Sequence, residues 1–189
     1  MKLSPYGKKL IPEGRVYDYF ASRFLTRAQA NGGHCTISAG VSGLVYCNGD
    51  VTYEGGAAPN GNSVWFINGN LTIKQNMALG AGDTAVFVVS GNITVETDVT
   101  RADGVYVSGN TFSDATVGSS QGRQLVINGA IYASKLNLPR VLGGASCSSG
   151  PACDNSQTAA LLVNFEPKYL VQMNNLLGSP SLSWTEVEP

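Results

Sequence analysis

Five segments of the chain repeat one alternation of apolar and polar residues around a shared glycine. The segments are 45–53 (VYCNGDVTY), 65–73 (WFINGNLTI), 87–95 (FVVSGNITV), 105–113 (VYVSGNTFS) and 125–133 (LVINGAIYA). Their glycines, 20, 22, 18 and 20 residues apart, are Gly49, Gly69, Gly91, Gly109 and Gly129. Such a period is typical of proteins that stack short repeats into a solenoid. The pattern predicts about five coils of ~20 residues around one axis.

Within each segment, the residues two and four positions before the glycine are apolar, as on the buried side of a β-strand. These positions hold Val45/Cys47, Trp65/Ile67, Phe87/Val89, Val105/Val107 and Leu125/Ile127. Each unit therefore predicts a strand, a glycine corner and a second strand. The expected fold is all-β, a parallel β-solenoid. A β-sandwich is the alternative, because evenly spaced short strands also describe that fold.

The corners combine glycine with asparagine. Glycine adopts positive φ freely and allows coils to stack closely, while neighbours such as Asn48, Asn68 and Asn70 tolerate tight turns. Equivalent residues of stacked strands lie about 4.8 Å apart. We therefore expect Asn ladders at the corners and ladders of Val, Ile and Leu inside.

One apolar row is predicted to point outward, three positions before each glycine. It contains Tyr46, Phe66, Val88, Tyr106 and Val126. Residues 13–30 predict an α-helix that covers this row, since they follow Pro12, precede Gly32 and carry side chains at helical spacing. The spaced residues are Val16, Tyr19, Phe20, Arg23, Phe24 and Arg27. The alternative is an exposed aromatic row that stacks on sugar rings.

The organisation predicted along the chain is one structural domain in three parts. Residues 1–33 form a basic segment with the covering helix, 34–142 the solenoid, and 143–189 a disulfide-pinned loop with a C-terminal cap. The apolar residues expected to close the open end of the solenoid are Leu176, Leu177, Leu182 and Trp184. Such a cap is needed because uncovered terminal strands promote aggregation.

Composition narrows the functional classes. Charged residues make up 13% of the chain, against roughly 25% in an average domain. The formal charge of -1 argues against a nucleic-acid partner. The sequence contains no stretch of about 20 apolar residues, so it predicts no transmembrane helix. The opening residues lack the apolar run of an export signal. Because of the cysteines, we interpret Met1 as a start inside a longer exported protein; a genuinely cytosolic chain is the alternative.

The four cysteines form two local pairs, Cys35 with Cys47 and Cys147 with Cys153. Neither pair has the spacing of a zinc site. We interpret the single histidine, His34, as an ordinary loop residue and not as a metal ligand. We expect two disulfides, which are typical of an extracellular or cell-surface domain.

The sequence has neither the GxxxxGK[ST] phosphate-binding loop nor HExxH, and a single histidine argues against most catalytic triads. One acidic and basic cluster is the enzymatic candidate, and it contains Glu96, Asp98, Arg101 and Asp103. Paired carboxylates can perform acid–base hydrolysis of polysaccharides or bind calcium. The plainer interpretation, which we favour, is a solvated turn with a local ion pair, no catalytic residues and no cofactor.

A second candidate site is a row of outward threonines three positions after the glycine. It contains Thr52, Thr72 and Thr94, and it is expected to end there because Phe112 and Tyr132 occupy the next positions. Regular hydroxyl rows bind ice in some solenoids. Threonine is also common on strands for reasons of propensity alone.

Three stretches carry a family resemblance: VFVVSGNITVETDVTRADGVYVSGNTFSD, QLVINGAIYASKLNLPR, and the ending NFEPKYL with SWTEVEP. They resemble poorly characterised β-solenoid domains near the C-termini of large bacterial cell-surface proteins, notably in candidate-phylum lineages. The resemblance covers residues 40–189 and implies an exported, surface-attached domain without assigned catalytic residues. More loosely, the coils are similar to polymer-forming bactofilins and to ice-binding solenoids.

The function expected from these features is structural or adhesive, with a cell-surface glycan or protein as partner. The alternative is a polysaccharide-binding or polysaccharide-cleaving solenoid. A third candidate is ice binding or self-association through the solenoid ends.

Overall fold

The structure, a computed structural model, describes residues 16–30, 33–116, 121–144, 147, 150–169 and 171–172. They include the helix α1 (Val16–Ala30), a one-turn 3-10 helix, Pro151–Cys153, and α-helical residues at 168–169 and 171–172. The strands are β1 (Gly43–Asn48), β2 (Val51–Tyr53), β3 (Asn62–Asn68), β4 (Leu71–Ile73), β5 (Thr84–Val89), β6 (Ile93–Val95), β7 (Gly104–Ser113), β8 (Gln121–Gly122), β9 (Leu125–Asn137), β10 (Val141–Leu142) and β11 (Leu161–Asn164).

The strands form the predicted parallel β-solenoid. On one side, β1, β3, β5, the first half of β7 and residues 130–133 of β9 stack in parallel, and we call this the helix face. On the next side, β2, β4, β6 and the second halves of β7 and β9 form the polar face. A third face consists of isolated bridges at Met77, Ala102 and Val126, and it ends in the pairing of β9 with β11. The five strands of the helix face are joined by four complete turns, one fewer than the predicted coils.

The interior contains a ladder of aromatic rings from successive coils. Trp65 stacks on Phe87 with centroids 6.5 Å apart, and Phe87 stacks on Tyr106 at 5.5 Å. All three side chains are fully buried. Val, Ile and Leu ladders fill the remaining interior, as predicted.

Close stacking, more than unusual φ, explains the corner glycines. Gly49 has φ 134°, but none of Gly69, Gly91 and Gly109 has a positive φ. A Cβ atom on Gly69 would lie 2.5 Å from the carbonyl of Gly49, and one on Gly91 would lie 2.7 Å from the carbonyl oxygen of Gly69. The second and third corners therefore exclude a side chain because the preceding coil is in contact, whereas a Cβ atom on Gly49 would meet no atom within 4 Å.

The fourth and fifth segments do not keep the predicted register. Val105 pairs with Val86, so Gly109 takes the place of Ser90 and the fourth coil is displaced by one residue. Because alternate side chains point to opposite faces of a strand, Tyr106 points inward while Val105 and Val107 point outward. In the fifth segment Gly129 lies opposite Gly104, not Gly109.

The corner position of the fifth coil belongs to Ser134, whose hydroxyl donates to the Gly109 carbonyl at 3.0 Å. The fifth segment begins on the third face, where Leu125 and Ile127 are buried and Val126 bridges Arg101. The outward apolar row is therefore corrected in its last two members. It consists of Tyr46, Phe66, Val88, Val107 and Tyr132.

Helix α1 covers the first four members of this row, as predicted, whereas Tyr132 in the fifth coil is 51% exposed. Its first residues, Val16 and Phe20, lie beside β7, and the ring of Phe24 packs against Phe66 with centroids 6.5 Å apart. Tyr19 and Arg23, two of the expected contacts, point to solvent and pair with each other, with the Arg23 guanidinium 4.3 Å from the Tyr19 ring centroid.

Both predicted disulfides are present, Cys35–Cys47 and Cys147–Cys153. The first tethers the segment before β1, where the His34 amide donates to the Tyr46 carbonyl at 2.8 Å. The start of the solenoid is thus closed by its own chain.

After β11 the chain turns back along the corner between the third face and the helix face. Lys168 Nζ donates to the Gly80 carbonyl at 3.2 Å, and Asn62 Nδ2 donates to Gln172 Oε1 at 3.1 Å. We call residues 165–169 and 171–172 the return segment; it was not predicted. The predicted cap at Leu176, Leu177, Leu182 and Trp184 lies outside the described residues.

Candidate functional site

The polar face presents three columns of outward side chains. The central column contains Thr52, Thr72, Thr94, Ser113 and Asn137, each paired with the residue of the next coil. The column nearer the glycine corner contains Asp50, Asn70 and Asn92, and the column on the far side contains Glu54, Lys74 and Glu96. Alternation places these residues outward because the strand residues between them, such as Val51, Leu71 and Ile93, are buried.

The threonine row is longer than predicted. Thr94 pairs with Ser113, and Ser113 pairs with Asn137, so Phe112 and Tyr132 do not interrupt it. The shift of the fourth coil explains the difference, since Phe112 pairs with buried Ile93 and is itself fully buried. The row therefore contains five rungs of hydroxyl or amide groups.

Hydrogen bonds between coils fix the column beside the corner. Asn70 Nδ2 donates to Asp50 Oδ1 at 3.0 Å, and the backbone N–H of Asn92 donates to Asn70 Oδ1 at 2.9 Å. The Thr111 amide donates to Asn92 Oδ1 at 3.2 Å, which extends the column to the fourth coil. The predicted Asn ladder is confirmed here, and it holds its side chains in fixed rotamers.

Charge alternates along the far column. Lys74 Nζ contacts Glu54 Oε1 at 2.8 Å, and this hydrogen bond, with the nearby charge of Glu96, raises the pKa of Lys74. The pair is exposed, so its contribution to stability is small. With Asp50 and Lys135 included, the face carries three anions and two cations, so it has no strong field of one sign.

The acidic and basic cluster predicted as an enzymatic candidate is divided between two corners. Arg101 and Asp103 lie where the third face meets the helix face, and they form a bidentate ion pair with Nη2 to Oδ2 at 2.7 Å. Glu96 borders the polar face, and Asp98 is exposed in the turn that follows it. The plainer interpretation, a local ion pair, describes Arg101 and Asp103.

Asp103 is 2% exposed and both its carboxylate oxygens accept hydrogen bonds from the protein. Asn128 Nδ2 donates to Oδ1 at 2.7 Å, the Leu79 amide donates to Oδ2 at 2.9 Å, and the Arg101 guanidinium spans both. A carboxylate with these partners stabilises the corner, and calcium could bind it only by displacing them.

Among the described residues, no three His, Cys, Asp or Glu side chains come together as metal ligands. His34 is exposed, and its ring lies 5.9 Å from that of Trp65. The described part of the chain also has no helix of the length and apolarity needed to cross a membrane.

The chain matches none of the protein-family models, curated proteins or solved structures with which it was compared. Its function must therefore be inferred from its own residues.

Arg140 is a buried structural residue that the sequence reasoning missed. It is 4% exposed, and burial lowers its pKa. Its guanidinium donates to five backbone carbonyls of the turns around it, those of Glu96, Thr97, Val99, Asp114 and Arg123. A lone arginine within the apolar stretch LNLPRVL was the available signal.

Proposed function

We propose that the chain is a non-catalytic, adhesive β-solenoid domain of an exported bacterial cell-surface protein, and that its polar face binds a surface glycan. The observation that supports glycan binding is the unbroken column of hydroxyl and amide side chains, Thr52, Thr72, Thr94, Ser113 and Asn137. A row of equivalent groups about 4.8 Å apart suits a ligand that is itself periodic.

The chemistry of the face favours a neutral polysaccharide. Hydroxyl and amide groups both donate and accept hydrogen bonds, as sugar hydroxyls do. Mixed charges beside the column disfavour a polyanion, which would need a surplus of cations. The hydrogen-bonded Asn column reduces the side-chain entropy lost on binding.

Export is supported by the two disulfides, which are typical of oxidising compartments. The resemblance to domains of large bacterial surface proteins agrees with this placement. A polysaccharide-cleaving role is less well supported, because the carboxylate of Asp103 is committed to Arg101, Asn128 and the Leu79 amide. Ice binding and self-association stay predictions.

A sedimentation assay with insoluble cellulose, chitin and peptidoglycan tests the proposal. We expect the protein to sediment with at least one of them and to release no reducing sugar. The double variant Thr72→Arg/Thr94→Arg places two long side chains in the middle of the column and should reduce the bound fraction at least tenfold. Thr26→Arg, at an exposed position of α1, is the matched control and should bind as the wild type does.

Equal binding by the double variant and the control would remove the polar face from the proposal. Release of reducing sugar by the wild type would replace adhesion with catalysis.

A further inference from the structure

The threonine hydroxyls at the centre of the polar face are available to a ligand. Among the described residues, those of Thr52, Thr72 and Thr94 make no hydrogen bond to the protein. In the fourth coil Ser113 Oγ donates to the Ala115 carbonyl at 2.8 Å, and in the fifth Asn137 Nδ2 donates to Ser113 Oγ at 3.4 Å. The first three rungs of the column can therefore bond a ligand without breaking a hydrogen bond within the protein.

The columns on either side of these threonines are already engaged. Asp50 Oδ1 accepts a hydrogen bond from the backbone N–H of Asn70 at 2.8 Å, and Asn70 Oδ1 accepts one from the backbone N–H of Asn92 at 2.9 Å. On the far side Lys74 is paired with Glu54. Recognition of a ligand therefore falls mainly to the threonine hydroxyls, and the two flanking columns limit where the ligand can lie.

Side-chain length makes these columns a shallow groove parallel to the solenoid axis, which we call the threonine groove. Its floor is Thr52, Thr72 and Thr94, and threonine is shorter than the Asp, Asn, Glu and Lys side chains of the flanking columns. The flanking columns are four residues apart along the chain, which at ~3.3 Å per residue is about 13 Å. Because side chains of both columns occupy part of this width, the groove admits one polymer chain and not a sheet of chains.

The spacing of the floor selects the shape of that chain. Thr52 pairs with Thr72, and Thr72 pairs with Thr94, without a shift in register, so the hydroxyls form a straight row at intervals of about 4.8 Å. Successive sugars of an extended β-1,4-linked glycan repeat at nearly the same distance. An α-1,4-linked chain instead winds into a helix, and its sugars leave a straight row.

We propose that the threonine groove binds a single extended chain of neutral β-1,4-linked sugars, aligned with the solenoid axis, with successive sugars at Thr52, Thr72 and Thr94. This inference rests on the proposed function, because it specifies the linkage and the orientation of a glycan bound to the polar face. Neutral sugars suit the groove because its flanking charges are of both signs.

Soluble hexasaccharides test the linkage. An NMR titration of the whole chain, observed at the threonine methyl groups, compares cellohexaose and chitohexaose, which are β-1,4-linked, with maltohexaose, the α-1,4-linked isomer of cellohexaose. We expect saturable shifts at Thr52, Thr72 and Thr94 with at least one of the two β-1,4 hexamers. Maltohexaose should bind at least tenfold more weakly, because a curved chain keeps one rung and loses two hydrogen bonds, each worth about fivefold in affinity.

Single hydroxyls test the three rungs. Thr72→Val replaces a hydroxyl by a methyl group of similar size and should weaken binding of the tighter β-1,4 hexamer about fivefold. Thr26→Val, at an exposed position of α1, is the matched control and should leave the affinity unchanged. Ser113→Ala should also leave it unchanged, because that hydroxyl is engaged with the Ala115 carbonyl. Thr52→Val repeats the test at the first rung should Thr72→Val alter the circular dichroism spectrum.

Three results would overturn this proposal and leave glycan adhesion in place. They are binding of maltohexaose as tight as that of the better β-1,4 hexamer, no binding of any hexamer by protein that sediments with cellulose or chitin, and equal affinities of Thr72→Val and Thr26→Val. Failure to bind every glycan, soluble or insoluble, would instead remove the proposed function together with this site.

Discussion

Replacing Gly69 by alanine tests the close stacking of the coils directly. The new Cβ would lie 2.5 Å from the carbonyl carbon and oxygen of Gly49 and 2.8 Å from the Asp50 nitrogen. The shortest of these separations is about 0.9 Å below the 3.4 Å at which ordinary contact begins. Because all three atoms belong to the backbone, no side-chain rotation can relieve the overlap. The two coils must move apart at this corner.

The expected loss of stability follows from that movement. Overpacking costs about 1–3 kcal/mol. Separation of the coils also weakens the hydrogen bond from the Gly49 amide to the Asn68 carbonyl, 3.0 Å long, which is worth about 1 kcal/mol. We therefore expect Gly69→Ala to lower the free energy of unfolding by about 3 kcal/mol. For a chain of this size that corresponds to a fall in Tm of about 6–12 °C.

Urea unfolding followed by circular dichroism measures the effect, with Gly82→Ala as the matched control. A Cβ at Gly82 would meet no atom within 4 Å, and its φ is not positive, so that variant should change stability by less than about 0.5 kcal/mol. If both variants unfold at the same urea concentration, the glycine corners are not in close contact and the explanation given for the repeat is wrong.

Two further predictions concern buried polar groups. Arg140→Lys should lower the free energy of unfolding by about 3 kcal/mol. Three ammonium protons cannot satisfy five carbonyls, and each carbonyl left without a donor costs about 1–3 kcal/mol. Urea unfolding measures this loss, and an equal loss in the exposed control Arg123→Lys would contradict the prediction. Stability should also fall as the pH rises above about 10, because burial raises the pKa of Tyr106 and Tyr169 in the folded protein while the unfolded chain ionises near its ordinary pKa. For fully buried Tyr106 the free energy of unfolding should fall by about 1.4 kcal/mol per pH unit. Unfolding curves at pH 9 and 11 test this. If Tyr106→Phe leaves the pH dependence unaltered, Tyr106 is not its cause.

The repeat predicted the solenoid because its first three copies obey one rule. Residues around Gly49, Gly69 and Gly91 alternate in phase. Burial follows that alternation in β2, β4 and β6, whereas β3 and β5 are buried on both sides because α1 covers their outer side. The register predicted for the fourth copy was wrong because Gly109 was aligned with Gly91. In the structure Asn110 occupies the position that corresponds to Gly91. An alignment on one residue type cannot detect a displacement of one residue, and such a displacement exchanges the buried and exposed sides.

Other features could not be predicted because they depend on contacts between distant parts of the chain. The third face consists mostly of single bridges at Met77, Ala102 and Val126, which leave no alternating pattern. The return segment is positioned by Lys168 and by Gln172, whose partners lie about a hundred residues earlier. For the candidate site, Thr52, Thr72 and Thr94 could be identified from the repeat, but Ser113 and Asn137 could not, because their membership depends on the displaced coils.

Helix α1 has a consequence for how the molecule unfolds. In a simple solenoid each coil contacts only its neighbours, so terminal coils can detach one at a time. Here α1 contacts β1, β3, β5 and β7, and the return segment joins the last coil to Asn62 in the second. Loss of the first or last coil therefore also breaks contacts with elements that span the stack. The chain should unfold in a single cooperative transition, with no intermediate in which a few coils remain folded.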